Sequence, residues 1–119
     1  MIDQIRPGQL TAWLHSCQAA ASDSAPSQPV VLDVREPAEL RVASVRPDGF
    51  VLIAIPMNEI PARLAELNPN TPVACLCHHG IRSNQVARFL AAQNFGHVVN
   101  IAGGIEAWSD EVDTSLPRY

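Results

Sequence analysis

Val73-Ala74-Cys75-Leu76-Cys77-His78-His79-Gly80-Ile81-Arg82-Ser83 carries an apolar run into a cysteine, a short loop with one glycine, and an Arg-Ser pair that opens a segment of helical periodicity. That order predicts a strand, a curled loop and a helix. The Cys77 thiol then sits at the bottom of a ring of backbone N–H groups, at the positive end of the helix. Such a place holds an anion and stabilises a thiolate. A free thiol is only about 3% ionised at neutral pH, so a nucleophilic cysteine needs this help. The helix dipole supplies ~0.3–1 kcal/mol. The N–H groups of residues 78 to 83 add to it, Arg82 adds a permanent positive charge, and Gly80 permits the positive φ that tight curling needs.

The same strand-then-helix logic extends along the chain. Val30-Val31-Leu32-Asp33-Val34 is a continuous β-branched run, the pattern of a strand covered on both faces. Phe50 to Ile55 reads as a second buried strand stopped by Pro56, Val73 to Cys77 as a third and His97 to Ile101 as a fourth, and Asp3 to Ile5 fits a further short strand. Between them, Leu10, Trp13, Leu14 and Cys17 recur at helical spacing behind Pro7. Glu36 to Leu40 makes a short helix with acids in its first turn. Ile60, Leu64 and Leu67 form one apolar helical face ended by Asn68-Pro69-Asn70. Val86, Phe89 and Leu90 mark a helix with Gly96 as its stop, and Gly103-Gly104 turns into a short helix bearing Ile105 and Trp108. Ala20 to Pro29, rich in Ala, Ser and Pro, is a loop.

Strands alternating with helices predict an α/β fold, a parallel sheet with helices on both faces and right-handed connections. Ligands of such sheets lie outside the carboxyl ends of the strands. Cys77, Asp33-Val34-Arg35 and Gly103-Gly104 all fall there and should line one rim. Asp33 and Arg35 are expected to support that rim as a charge pair, with direct substrate contact by Arg35 as the alternative.

Composition bounds the rest. The 119 residues suit one domain over residues 1–119, with 47% apolar and 17% charged residues as in ordinary globular proteins. A net charge of −4 gives no pull toward nucleic acid or anionic membrane. All eight basic residues are Arg, so no lysine is available for Schiff-base chemistry. The apolar run Phe50 to Ile55 is far too short to span a bilayer, and Met1-Ile2-Asp3-Gln4 lacks the regions of a secretory signal, so the expected compartment is the cytoplasm. Three cysteines without framework spacing fit a reducing compartment. Cys75 reads as a packing residue. A Cys75–Cys77 disulfide is disfavoured, because strand residues two apart lie ~6.6 Å from each other. His78 and His79 match no zinc spacing, so no metal is expected, and their role is hydrogen bonding at the pocket mouth or simple solvation. His15 and His97 read as structural and Trp108 as core.

In combination, Leu32-Asp33-Val34-Arg35-Glu36, Ile55-Pro56 before a helix, Cys77-His78-His79-Gly80-Ile81-Arg82-Ser83, and Gly103-Gly104-Ile105-Glu106-Ala107-Trp108 resemble the rhodanese family, in particular its small single-domain sulfurtransferases. The resemblance covers nearly the whole chain. It implies a three-layer α/β sandwich around a five-stranded, mostly parallel sheet. It also implies a cysteine that takes a sulfane sulfur from a small anionic donor such as thiosulfate. The resulting persulfide passes its outer sulfur to cyanide, a thiol or a protein acceptor. Carried onto this chain, Cys77 is the nucleophile and His78, His79, Gly80, Ile81, Arg82 and Ser83 wall the substrate, with no cofactor, nucleic acid or membrane involved. The family's His-Ile-x-Gly-Ala stretch is replaced by Arg41-Val42-Ala43-Ser44-Val45-Arg46-Pro47-Asp48-Gly49, a change that bears on substrate preference if this segment borders the pocket. The alternatives are a non-catalytic binding module and a phosphatase or arsenate reductase. The latter place five residues between cysteine and arginine, whereas four separate Cys77 from Arg82 and six separate Cys75 from it.

Overall fold

The computed structural model describes residues 2–20 and 28–119; residues 21–27, most of the expected loop, lie outside them. Strands β1 (Asp3–Ile5), β2 (Val30–Asp33), β3 (Val51–Ala54), β4 (Val73–Leu76) and β5 (Val98–Ile101) form a five-stranded sheet in the order β1-β5-β4-β2-β3. Every pairing is parallel, with Val30 opposite Val73 and Asp33 opposite Leu76 at the centre. The sheet is therefore wholly parallel rather than mostly so. Its central strands β2 and β4 are buried along their full length, as their continuous apolar runs require.

Helices α1 (Leu10–Ala20), α2 (Pro37–Val42), α3 (Ile81–Ala92) and α4 (Gly104–Glu111) complete the layers. The strands' two-residue period sorts the core. Val31, Ala74 and Leu76 face Leu14 of α1 and Trp108 of α4, while Leu32, Cys75 and Cys77 face Val86 and Leu90 of α3. From β2 the chain moves to β3 on one side; from β4 it moves to β5 on the other. The carboxyl ends of β2 and β4 thus flank the point where the winding reverses, the usual ligand crevice of such sheets. Cys77 follows β4 there.

Three local expectations change. Phe50 to Ile55 is not a doubly covered strand: β3 is an edge strand with Val51 40% exposed, and only the flanking Phe50 and Ile55 are buried. The Ile60–Leu67 segment is not an α-helix. A 3₁₀ turn, Met57–Glu59, precedes it and a second, Leu64–Glu66, lies within it, because Pro61 has no N–H to bond back to Met57 and its ring obstructs that carbonyl. Ile60 and Leu67 still reach the core. Helix α3 ends at Ala92, and Asn94 (φ 68°), not Gly96, takes the left-handed conformation beyond it. The Arg41–Gly49 segment packs away from the cysteine: Ala43 and Val45 are buried with α1 and α4, and Arg46 and Asp48 line a cleft of about 470 Å³ beside Trp108.

Asp33 and Arg35 form a buried pair at the end of β2, at 1% and 0% exposure. The guanidinium donates to the carboxylate through Nε (2.9 Å) and Nη2 (2.7 Å), and the Arg35 N–H adds a bond of 3.1 Å. Removing one member of such a pair leaves an uncompensated charge in the interior. Arg35→Leu should therefore cost about 3–5 kcal/mol in urea unfolding, with part regained in the Asp33→Asn/Arg35→Leu double variant. A loss below about 1 kcal/mol would show that water reaches the carboxylate.

Candidate active site

The loop after β4 is held by glycines at two positions. Gly80 has φ 97°, and a Cβ there would stand 3.0 Å from the Gly103 nitrogen. A Cβ on Gly104 would lie 2.4 Å from the carbonyl oxygens of both Cys77 and His78. The start of α4 is thus pressed directly under the cysteine loop. This closeness lets the N–H of Ile105 donate to the Cys77 carbonyl (2.8 Å) and that of Glu106 to the His78 carbonyl (3.2 Å). With those oxygens drawn away, the Gly80 N–H is the loop amide that faces the sulfur.

Cys77 is 1% exposed. Its Sγ receives the Gly80 N–H at 3.0 Å and lies 3.3 Å from the Ser83 hydroxyl. Among the described residues these are the groups within hydrogen-bond reach of the sulfur; the expected ring of amides reduces to one donor plus a side-chain hydroxyl. Helix α3 begins at Ile81, so its positive end adjoins the thiol, and the first-turn amides of Ile81, Arg82 and Ser83 have no acceptor within the helix. Ile81 itself is 71% exposed at the loop's outer edge.

Arg82 does not reach the sulfur. Its guanidinium is bidentate to Glu39 of α2, at 2.6 and 2.9 Å. That charge-assisted pair holds the Glu39 carboxyl down at about 2. Arg82 therefore ties the cysteine loop to α2, with its charge largely shared. Arg35 lies beneath the rim rather than on it: besides Asp33 it donates to the Glu39 carbonyl (3.3 Å) and to the Tyr119 hydroxyl (2.9 Å). The Tyr119 hydroxyl in turn donates to Glu39 at 2.8 Å.

The two loop histidines share one stack. The His78 ring lies between His79 (3.8 Å between centroids) and Tyr119 (3.9 Å). Burial, helped by neighbouring His79, pushes the His78 imidazole below its ordinary value. His79 Nε2 is 2.9 Å from a Glu106 oxygen. Cys75 sits behind Cys77, fully buried, and desolvation pushes its thiol up to about 12. Cys17 lies in the other core layer, its thiol also raised by burial.

The rhodanese-like domain model matches residues 14–111, a span that contains both glycine-anchored loops and the cysteine. The chain belongs to the rhodanese-like family. A sulfurtransferase from Allochromatium vinosum is 38% identical over 80 residues, which cover 67% of this chain and 71% of that protein. A chloroplastic rhodanese-like/PpiC domain-containing protein of Arabidopsis thaliana is 42% identical over 93 residues, covering 75% of this chain but only 30% of that longer protein. The rhodanese-like domain protein of Staphylococcus aureus superposes with a TM-score of 0.70 at 27% identity, covering 99% of each chain. These relatives support sulfur transfer as the general activity of this rhodanese-like chain. Among the described residues, no helix is long and apolar enough to cross a membrane.

Sequence reading did not single out Glu39, Asn100 or Tyr119, all of which bear on this rhodanese-like site. Glu39 had a weak signal, as a carboxylate in the first turn of a helix leaving the rim. Asn100 and Tyr119 had none, because nothing local shows that their partners are 17 and 80 residues away.

Two outcomes are expected. In native protein treated with iodoacetamide up to about pH 9, peptide mapping should find Cys77 modified and Cys75 intact; equal labelling of both would mean that the buried strand opens. The Glu39 carboxylate is depressed, so its contribution to stability is present above its unfolded value near 4.5 and lost as pH falls toward about 2. The stability gap between wild type and Glu39→Gln should therefore stay constant from about pH 8 to about pH 5 and shrink steadily below that. A gap that is flat down to about pH 2 would remove the Arg82–Glu39 link from the stability of the loop.

Proposed function

We propose that residues 1–119 work as a single rhodanese-like sulfurtransferase domain whose nucleophile is Cys77. The observation that carries this reading is the Gly80 N–H directed at Cys77 Sγ from 3.0 Å, in a loop whose neighbouring carbonyls are engaged by α4. In the first step the Cys77 thiolate attacks the outer sulfur of thiosulfate. A new S–S bond forms, the donor's S–S bond breaks, and sulfite departs with the electron pair. In the second step an acceptor such as cyanide, a thiol or a protein cysteine attacks the outer sulfur of the persulfide, and Cys77 leaves as the thiolate. Both the donor and the persulfide are anions, and unpaired N–H groups at the head of α3 suit an outer sulfur carrying charge.

The walls of the pocket are His78, His79, Gly80, Ile81, Arg82 and Ser83. Near-complete burial of Cys77 favours a donor that presents one sulfur atom over a tetrahedral phosphate. The two residues that support the rim from below are Asp33 and Arg35, which keep the end of β2 and the start of α2 in place. Cys17, Cys75 and Cys77 are all free thiols, in keeping with a reducing, cytoplasmic setting.

Intact mass after thiosulfate treatment tests this reading. A gain of one sulfur atom is expected, lost in Cys77→Ser and retained in Cys75→Ser. No gain in the wild type would favour a non-catalytic binding module. Aryl-phosphate hydrolysis that disappears in Cys77→Ser would instead return the phosphatase reading.

A further inference from the structure

We propose that Asn100 is a positioning residue that draws the single hydroxyl hydrogen of Ser83 away from Cys77, so that Ser83 turns a lone pair toward the sulfur. Asn100 lies on β5 in register with Cys75 and is 2% exposed. Its Nδ2 donates to the Gly80 carbonyl at 3.1 Å and to Gln4 Oε1 at 2.8 Å. A backbone carbonyl can only accept, so the nitrogen of this amide must face Gly80, and the oxygen faces Ser83. Asn100 Oδ1 is 2.5 Å from the Ser83 Oγ, and it too can only accept. The one hydrogen of Ser83 is therefore committed to Asn100.

What Ser83 presents to the sulfur, 3.3 Å away, is a lone pair. A Cys77 thiol can donate its own hydrogen into that lone pair. The bonded sulfur of a persulfide is neutral and needs no donor there. A bare thiolate fares worst: to serve it, the Ser83 hydrogen must swing across, leaving Asn100 Oδ1 buried without a partner. Both groups that touch Sγ, the Gly80 loop and Ser83, are thus held by one buried amide. The arginines facing this centre are already matched, Arg82 with Glu39 and Arg35 with Asp33, and the His79 ring lies against the Glu106 carboxylate. His78 is packed in its ring stack, and Cys75 behind the sulfur stays protonated. Resting on the sulfurtransferase reading, Asn100 disfavours the empty thiolate relative to both the resting thiol and the loaded persulfide.

The test is the pH profile of Cys77 alkylation by iodoacetamide in the full chain, followed together with the ultraviolet absorbance of the thiolate. Asn100→Ala should alkylate about tenfold faster near pH 7, with both signals rising about one pH unit earlier. That gain should vanish in the Ser83→Ala background, because the hydroxyl it releases is gone. An unchanged or slower rate, or the same gain without Ser83, overturns the proposal. Should Asn100→Ala not fold, Ser83→Ala alone decides. Alkylation at least as fast as wild type supports the proposal, and a several-fold slower rate makes Ser83 the thiolate's donor and overturns it. No sulfur donor is present in these measurements, so their outcome is separate from that of persulfide loading.

Discussion

Two backbone hydrogen bonds, from the N–H of Ile105 to the Cys77 carbonyl and from that of Glu106 to the His78 carbonyl, orient everything around the thiol. A peptide loop offers oxygens and N–H groups alternately, and a sulfur anion tolerates only the latter. By engaging those two oxygens, α4 keeps them turned from the sulfur, toward which the Gly80 N–H points. The contact exists only because Gly104 has no Cβ, since one would overlap the carbonyl oxygens it serves. The Gly-Gly pair is thus as much a part of the cysteine pocket as the loop that follows β4, although 25 residues separate Cys77 from Gly103 in the chain.

The arginines around the pocket act mainly as fasteners. Arg35 is fully buried and holds the end of β2 to α2 through Asp33 and the Glu39 carbonyl. Arg82 reaches from the head of α3 to the Glu39 carboxylate. Both meet on α2, which has no buried residues of its own and depends on these polar ties for its position. Tyr119 joins the same group through its hydroxyl while its ring covers His78. Each of these cations is balanced by an anion, and the groups that reach the sulfur or hold those that do, Gly80, Ser83 and Asn100, are neutral dipoles. Neutral donors and acceptors can be rearranged at modest cost, whereas an unpaired ion at this depth would have to be compensated whenever the sulfur changed charge.

Local pattern was enough to place the strand–loop–helix around Cys77, the doubly covered strands β2 and β4, and the packing role of Cys75. The reason is that each depends on residues within one turn or one strand of each other: β-branched runs, a glycine where φ must be positive, an apolar period of 3.6. Pattern misjudged β3, because an apolar run looks the same at the edge of a sheet as at its centre, and neighbouring strands decide which it is. It misjudged residues 60–67, where apolar spacing outweighed a proline that breaks the helical ladder. The direction of the Arg82 side chain, the number of amides aimed at the sulfur, and the Ser83–Asn100 contact were settled only by tertiary structure. Each joins segments distant in the chain, and a hydrogen-bond partner is chosen by geometry in space, of which residue order carries no record.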